Sequence, residues 1–247
     1  MASNRLRSMI VGLLVLSLSA CVTPVKYEAT KNTSVKSITI IGPANPDAYG
    51  FFTEGMAWGQ AIGSGIGGAI GGVIYGAATT DVANERITRM ATDAGLKLGD
   101  LTADLIEKGL TADGYQISRT QVVRPKPRAF LPEKYVAPGE SDAVLDIYFE
   151  KVEIQDNPFY PAVPFVLMNA QLRERATNRV LFRQAYACQH IESIGANKAF
   201  VAPDQFTFSN EAEIFGNPER VVGGFKFCVT KMAEHIVTAL HRPATTQ

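Results

Sequence analysis

Cysteine, histidine and tryptophan are scarce, with three, three and one in 247 residues. So few thiols and imidazoles exclude a repeated C-x2-C zinc scaffold. Charge of either sign is not in excess either, since 24 Lys and Arg face 24 Asp and Glu. Without a basic surplus, nucleic-acid binding has no electrostatic footprint. No GK[ST] follows the glycine-rich stretch, which removes a phosphate loop. Ser64 in "GSGIGG" has Ile62 and Ile66 where a nucleophile elbow needs glycine. Hydrolase and kinase chemistry therefore lack their residues, and the expectation is a non-enzymatic protein without cofactor.

What is present begins at the N-terminus. In "MASNRLRSMIVGLLVLSLSACVTP", Arg5 and Arg7 precede an apolar run from Met9 to Leu18. About a dozen apolar residues are too few for a comfortable membrane span and read as a secretory signal over residues 1–20. Leu18-Ser19-Ala20-Cys21 resembles the bacterial lipobox. That resemblance implies cleavage before Cys21 and acylation of its new N-terminus, hence a membrane-anchored lipoprotein. One acyl chain anchors only marginally, whereas several anchor stably. Val22 follows the cysteine, where the enterobacterial sorting rule would use aspartate for inner-membrane retention. The resemblance therefore favours the outer membrane, facing the periplasm. Residues 21–33 read as a polar tether, and residues 34–247 as a single periplasmic domain.

Within that domain, "SVKSITIIG" reads as a strand closed by Gly42 and Pro43. Apolar residues at Ile87, Met90, Ala94, Leu98, Leu101, Leu105 and Ile106 define an amphipathic helix over Val82–Leu110, with a break near Gly95 or Gly99. Asp113-Gly114 turns into a further strand. Prolines and charges from Val123 to Gly139 suggest a mobile surface loop. "SDAVLDIYFEKVEI" alternates as a strand with one buried face, its Asp142, Asp146 and Glu150 forming a solvated acidic stripe. Two more strands meet in a hairpin at Ala176–Arg179. Asn217-Pro218-Glu219 opens a last helix with an asparagine N-cap, continuing through Val221, Phe225, Cys228, Met232, Ile236 and Leu240. The expected fold is α+β: an antiparallel sheet of about four to five strands packed by two helices, with an inserted glycine-zipper segment.

Cys188 shares a strand face with Phe182 and Tyr186, and Cys228 lies on the apolar stripe of the last helix. In an oxidising compartment this pattern predicts a Cys188–Cys228 disulfide. A zinc site of Cys188, His190 and Cys228 is the competing use of the same sulfurs; the disulfide is the better one, and no metal is expected. His235 and His241 lie six apart, outside the i, i+4 spacing of a helical metal pair, and His241 reads as a solvated helix end.

The segment from Gly55 to Thr80 holds nine glycines and no charged residue. Gly55, Gly59, Gly63, Gly67 and Gly71 recur every fourth position beside Ile62, Ile66, Ile70 and Ile74. Such a stripe lets helices approach backbone to backbone. The segment resembles glycine-zipper segments of other envelope lipoproteins, which implies self-association or membrane insertion. A helix packed inside the domain and a disordered loop are the alternatives.

"LTADGYQIS", "SDAVLDIYFEKVEI" and "LRERATNRVLF" together resemble small envelope lipoproteins of the TolB-N-terminal-like or CsgG-like fold, including auxiliary lipoproteins of lipid-transport systems. The resemblance implies an accessory component of an envelope transport or secretion assembly, working as a homo-oligomer or with envelope protein partners. A pore-forming export oligomer and a lipid- or peptidoglycan-binding module using a groove between sheet and helix are the other readings.

Overall fold

The computed structural model describes residues 23–53, 71–124, 128–132, 140–157, 160–190 and 198–242. Cys21, Gly55, Gly59, Gly63 and Gly67 lie outside them. The strands are β1 (Ser37–Ile41), β2 (Gly50–Thr53), β3 (Gln116–Thr120), β4 (Ala143–Asn157), β5 (Tyr160–Glu174), β6 (Val180–Gln189) and β7 (Lys198–Val201). The helices are α1 (Gly71–Asp93), α2 (Leu98–Ala112), α3 (Glu211–Gly216) and α4 (Pro218–Ala239).

The α+β class stands, but the sheet is larger than expected and partly parallel. Seven strands form one sheet in the order β3-β1-β4-β5-β6-β7, with β2 also on β4. The expected meander is β4-β5-β6, whose two pairings are antiparallel. Four pairings run parallel: β1 with β3, β1 with β4, β2 with β4, and β6 with β7. The helices α1 and α2 lie between β2 and β3 in the chain, and a connection carrying helices can bring a strand back parallel to its predecessor. β2 and β7 have only four residues each, too short for alternation to show.

The expected first helix breaks at Gly95, where φ is +60°. Left-handed backbone there is cheap for glycine alone. Gly114 repeats the device at φ +83°, turning the end of α2 into β3. Gly224 of α4 serves closeness instead: a Cβ would collide with Pro164 of β5. That approach seats Phe225, Cys228, Met232 and Ile236, all fully buried, against the sheet. The core they join extends in sequence from Tyr27 to Leu240.

Asn217 occupies the N-cap position of α4 without capping it through its side chain. Its Nδ2 donates instead to the Glu213 carbonyl at 2.7 Å, closing α3. Asn210 is the side chain that caps, accepting from Glu213 N at 2.9 Å. Two successive helices share one asparagine, and the first takes its amide.

The expected free tether is docked from Val25 onward. Val25 exchanges two backbone hydrogen bonds with Arg183 of β6, at 2.8 and 2.9 Å. Tyr27 is buried and its hydroxyl lies 3.3 Å from that of Tyr115, which donates to the Leu240 carbonyl. Val35 is buried as well. Burial of Tyr27 and Val35 draws the segment onto the domain, and the buried Asn32 ties it further, its Oδ1 accepting from Arg179 Nη2 at 3.1 Å.

The acidic stripe of β4 is solvated at Asp142 and Glu150 but not at Asp146. Residues Ala143 to Tyr148 are all buried, on both sides of the strand. Part of the proline-rich segment supplies the second layer, packing Leu131 on Ile41 and Val144. Asp146 is paired there with Arg124, so the segment expected as a mobile loop carries a buried cation. Asp142 is exposed but holds the start of β1, accepting from Lys36 N at 2.8 Å and from Ser37 N and Oγ. The Lys36 amide, with help from Ser37, keeps its carboxyl below the ordinary range. A depressed carboxyl stabilises the fold above its unfolded value near pH ~4, and that contribution disappears as pH falls through the folded value. Asp142→Asn should therefore lower stability at pH 7 by at most about 1 kcal/mol, water screening the exposed carboxylate. Thermal melts should show the gap from wild type closing toward pH 3; a constant gap refutes the carboxylate's role.

Candidate functional site

Cys188 and Cys228 come together as expected. Their sulfurs are 2.11 Å apart, at disulfide distance, with Cα atoms separated by 5.5 Å, and both residues are fully buried. The three histidines go elsewhere. His190 stacks on Tyr160 with ring centroids 4.7 Å apart. His235 Nδ1 lies 3.4 Å from the Tyr186 hydroxyl, and burial pushes the imidazole below its ordinary value. His241 Nδ1 lies 3.0 Å from Asp113 Oδ1, so the helix end is tied to the α2–β3 turn rather than simply solvated. No group of three or more His, Cys, Asp or Glu among the described residues is placed to hold a metal ion.

The interface between sheet and α4 is filled by the core, so the clefts lie outside it. One, of about 600 Å³, opens between α1 and α4. Met90 of α1, Ala94 just after it and Val222 of α4 supply its apolar surface; Arg86, Arg89 and Lys226 bring cations, and Asp93 and Glu219 bring acids. The Arg86 guanidinium lies 3.7 Å over the Phe215 ring, which fixes it beside the cleft. Phe206 against Gly223 and Pro164 against Gly224 set how closely α4 lies on its neighbours. Among the described residues the lining holds no hydroxyl, thiol or imidazole. An amphipathic segment or ligand can lay apolar surface between the helices and meet charge at the edge.

A second cleft, of about 450 Å³, lies between residues 44–50 and the middle of β4. A register shift between Phe149 and Lys151 leaves Glu150 as the extra residue of a bulge. Glu150 accepts from Asn169 Nδ2 at 3.1 Å, while the buried Asn169 Oδ1 has no partner among the described residues. Glu153 in the same cleft is raised by burial, against the opposing pull of Lys151 at 3.7 Å. Glu150 belongs to the expected acidic stripe and is exposed as that reading has it, whereas Glu153 was not singled out in the sequence.

Sequence reasoning missed Arg86, Arg89 and Lys226 as members of one site. The signal was there on α1: Arg86, Arg89, Met90 and Asp93 follow the i, i+3, i+4, i+7 spacing of one helix face. That α4 lies across from it is tertiary information.

The glycine-rich stretch enters the description at Gly71, already helical as the first residue of α1. Further along, Asn84 Oδ1 accepts from Phe51 N at 2.5 Å, and Thr88 Oγ1 accepts from Tyr49 N at 2.9 Å. These contacts run α1 antiparallel to β2 and satisfy backbone donors of that strand's outer edge. From Asn84 back to Gly71 is about 20 Å of helix, whereas β2 continues only from Phe51 to Thr53, about 7 Å. Among the described residues no helix is long and apolar enough to cross a membrane.

No family model matches the chain, and no curated protein does. Among solved structures, it is similar to a Xanthomonas campestris protein of the family model DUF330, at 12% identity and a TM-score of 0.36, over 81% of each chain.

Proposed function

We propose that the protein is a non-enzymatic lipoprotein, anchored at the outer membrane through Cys21, that serves as an accessory component of an envelope transport or secretion assembly. The observation carrying an associating role is that the glycine-rich stretch runs into a helix, with Gly71 as the first residue of α1. Small residues recurring along a helix favour its close approach to another helix. The buried Cys188–Cys228 pair supports an oxidising compartment, as the N-terminal signal requires. The α1–α4 cleft adds a second place for a partner or an anionic amphipathic ligand.

Crosslinking in native envelopes tests the reading, comparing wild type with a variant carrying leucine at Gly63, Gly67 and Gly71. Loss of the oligomer or partner bands, with the monomer still folded, is expected. An unchanged ladder and unchanged membrane association would remove the glycine segment from the function.

A further inference from the structure

We infer that the β6–β7 edge of the domain rests on the bilayer surface, held there by a leash too short to let the domain stand off. This rests on acylation of Cys21. Only four residue steps separate Cys21 from Val25, which is bonded to Arg183 through both backbone groups. Four extended steps span at most about 14 Å. A free tether over residues 21–33 would have reached some three times further, so the docking of Val25, Tyr27 and Val35 determines the geometry.

Direction follows from the pairing. The Val25–Arg183 bridge is antiparallel, so Pro24 and Thr23 leave toward the C-terminal end of β6. That end carries two of the four exposed large apolar residues among the described ones: Tyr160, 54% exposed and stacked on His190, and Val201, 42% exposed and paired in register with Gln189. Exposed lysines at 26 and 198 flank the point of departure. Tyrosine and aliphatic groups beside lysines are what a headgroup region accepts, the rings at the boundary and the ammonium groups among phosphates. β3 is the opposite edge of the sheet, four strand spacings from β6, about 19 Å further from the bilayer. The side of α2 whose Asp104 pairs with Arg119 of β3 then faces the periplasm, free for protein partners.

Lipidated protein in phosphatidylethanolamine–phosphatidylglycerol vesicles tests this, with a fluorophore attached through a clickable amino acid at either Lys198 or Asp104 and a quencher on the lipid headgroups. Quenching at 198 should exceed that at 104 several-fold. A Gly-Ser insert of about twelve residues after Thr23, adding roughly 19 Å of mean reach, should erase most of the difference. Equal quenching at the two positions in acylated protein, or stronger quenching at 104, overturns the orientation while leaving the lipoprotein reading intact. Strong quenching at 198 that disappears at low protein-to-lipid ratio overturns it too, assigning the edge to a second copy. Absence of acyl mass on the Cys21 peptide defeats the lipoprotein reading itself, and the orientation with it.

Discussion

Replacing Cys188 and Cys228 together by serine should lower the unfolding free energy by about 4 kcal/mol in the chain-entropy description, because the bond closes a loop of 40 residues. The bond joins the sheet to α4 near the end of β6, where both partners are fully buried. Phe225, Val229 and Met232 still pack α4 against the sheet without it, so the variant should fold and unfold at lower denaturant. The same loss should appear when wild-type protein is melted in a strong reductant, and the double variant should be indifferent to reductant. Equal midpoints for wild type with and without reductant, joined to two free thiols by mass spectrometry, would show that the pair does not form the bond. A single Cys228→Ser change leaves a lone thiol in the core and should cost no less than the double change.

Those cysteines were legible because each sat on a periodic element, and period fixes facing. Strands β4, β5 and β6 were legible for the same reason, as were the helix break at Gly95 and the turn at Gly114. Pairing direction was not. A parallel partner lies far away in sequence, as Ile38 is from Ala143 and Ile117, and nothing in "SITII" distinguishes β3 or β4 as neighbours. Period also says which side chains share a face without saying how many layers cover the strand. Asp146 alternates correctly with Leu145 and Ile147, yet its side is closed by a segment whose composition reads as loop. The candidate clefts were hidden similarly, since Arg89 and Lys226 come from helices whose crossing the sequence does not encode locally. Tyr27 and Val25 are the clearest instance: in a stretch dominated by Thr, Lys and Asn, one buried ring and one backbone bridge to Arg183 hold the path.

Asp146→Ala should be the most damaging single change in the outer layer, costing about 3–5 kcal/mol, because it leaves the Arg124 charge buried without its counter-ion. The two side chains are 8% and 7% exposed, with Arg124 Nη2 donating to Asp146 Oδ1 at 2.5 Å. The same guanidinium donates to the Ile147 carbonyl at 2.6 Å and to the Ala129 carbonyl at 3.2 Å. The second carboxylate oxygen accepts from Leu131 N at 2.7 Å. One carboxylate therefore fastens two separate points of the proline-rich segment to β4, and Leu131 completes a small apolar cluster there with Ile41 and Val144. Hydrogen exchange in Asp146→Ala should rise first at the Leu131 amide and only later in β4, since the strand keeps its β1 and β5 pairings. Arg124→Met combined with Asp146→Leu removes both charges and restores apolar volume, so it should cost far less than the sum of the two single changes. Urea melts of the four proteins measure that coupling. Additive losses, or a loss below about 1 kcal/mol for Asp146→Ala, would mean that water reaches the pair and that the segment is the loose loop its prolines suggest.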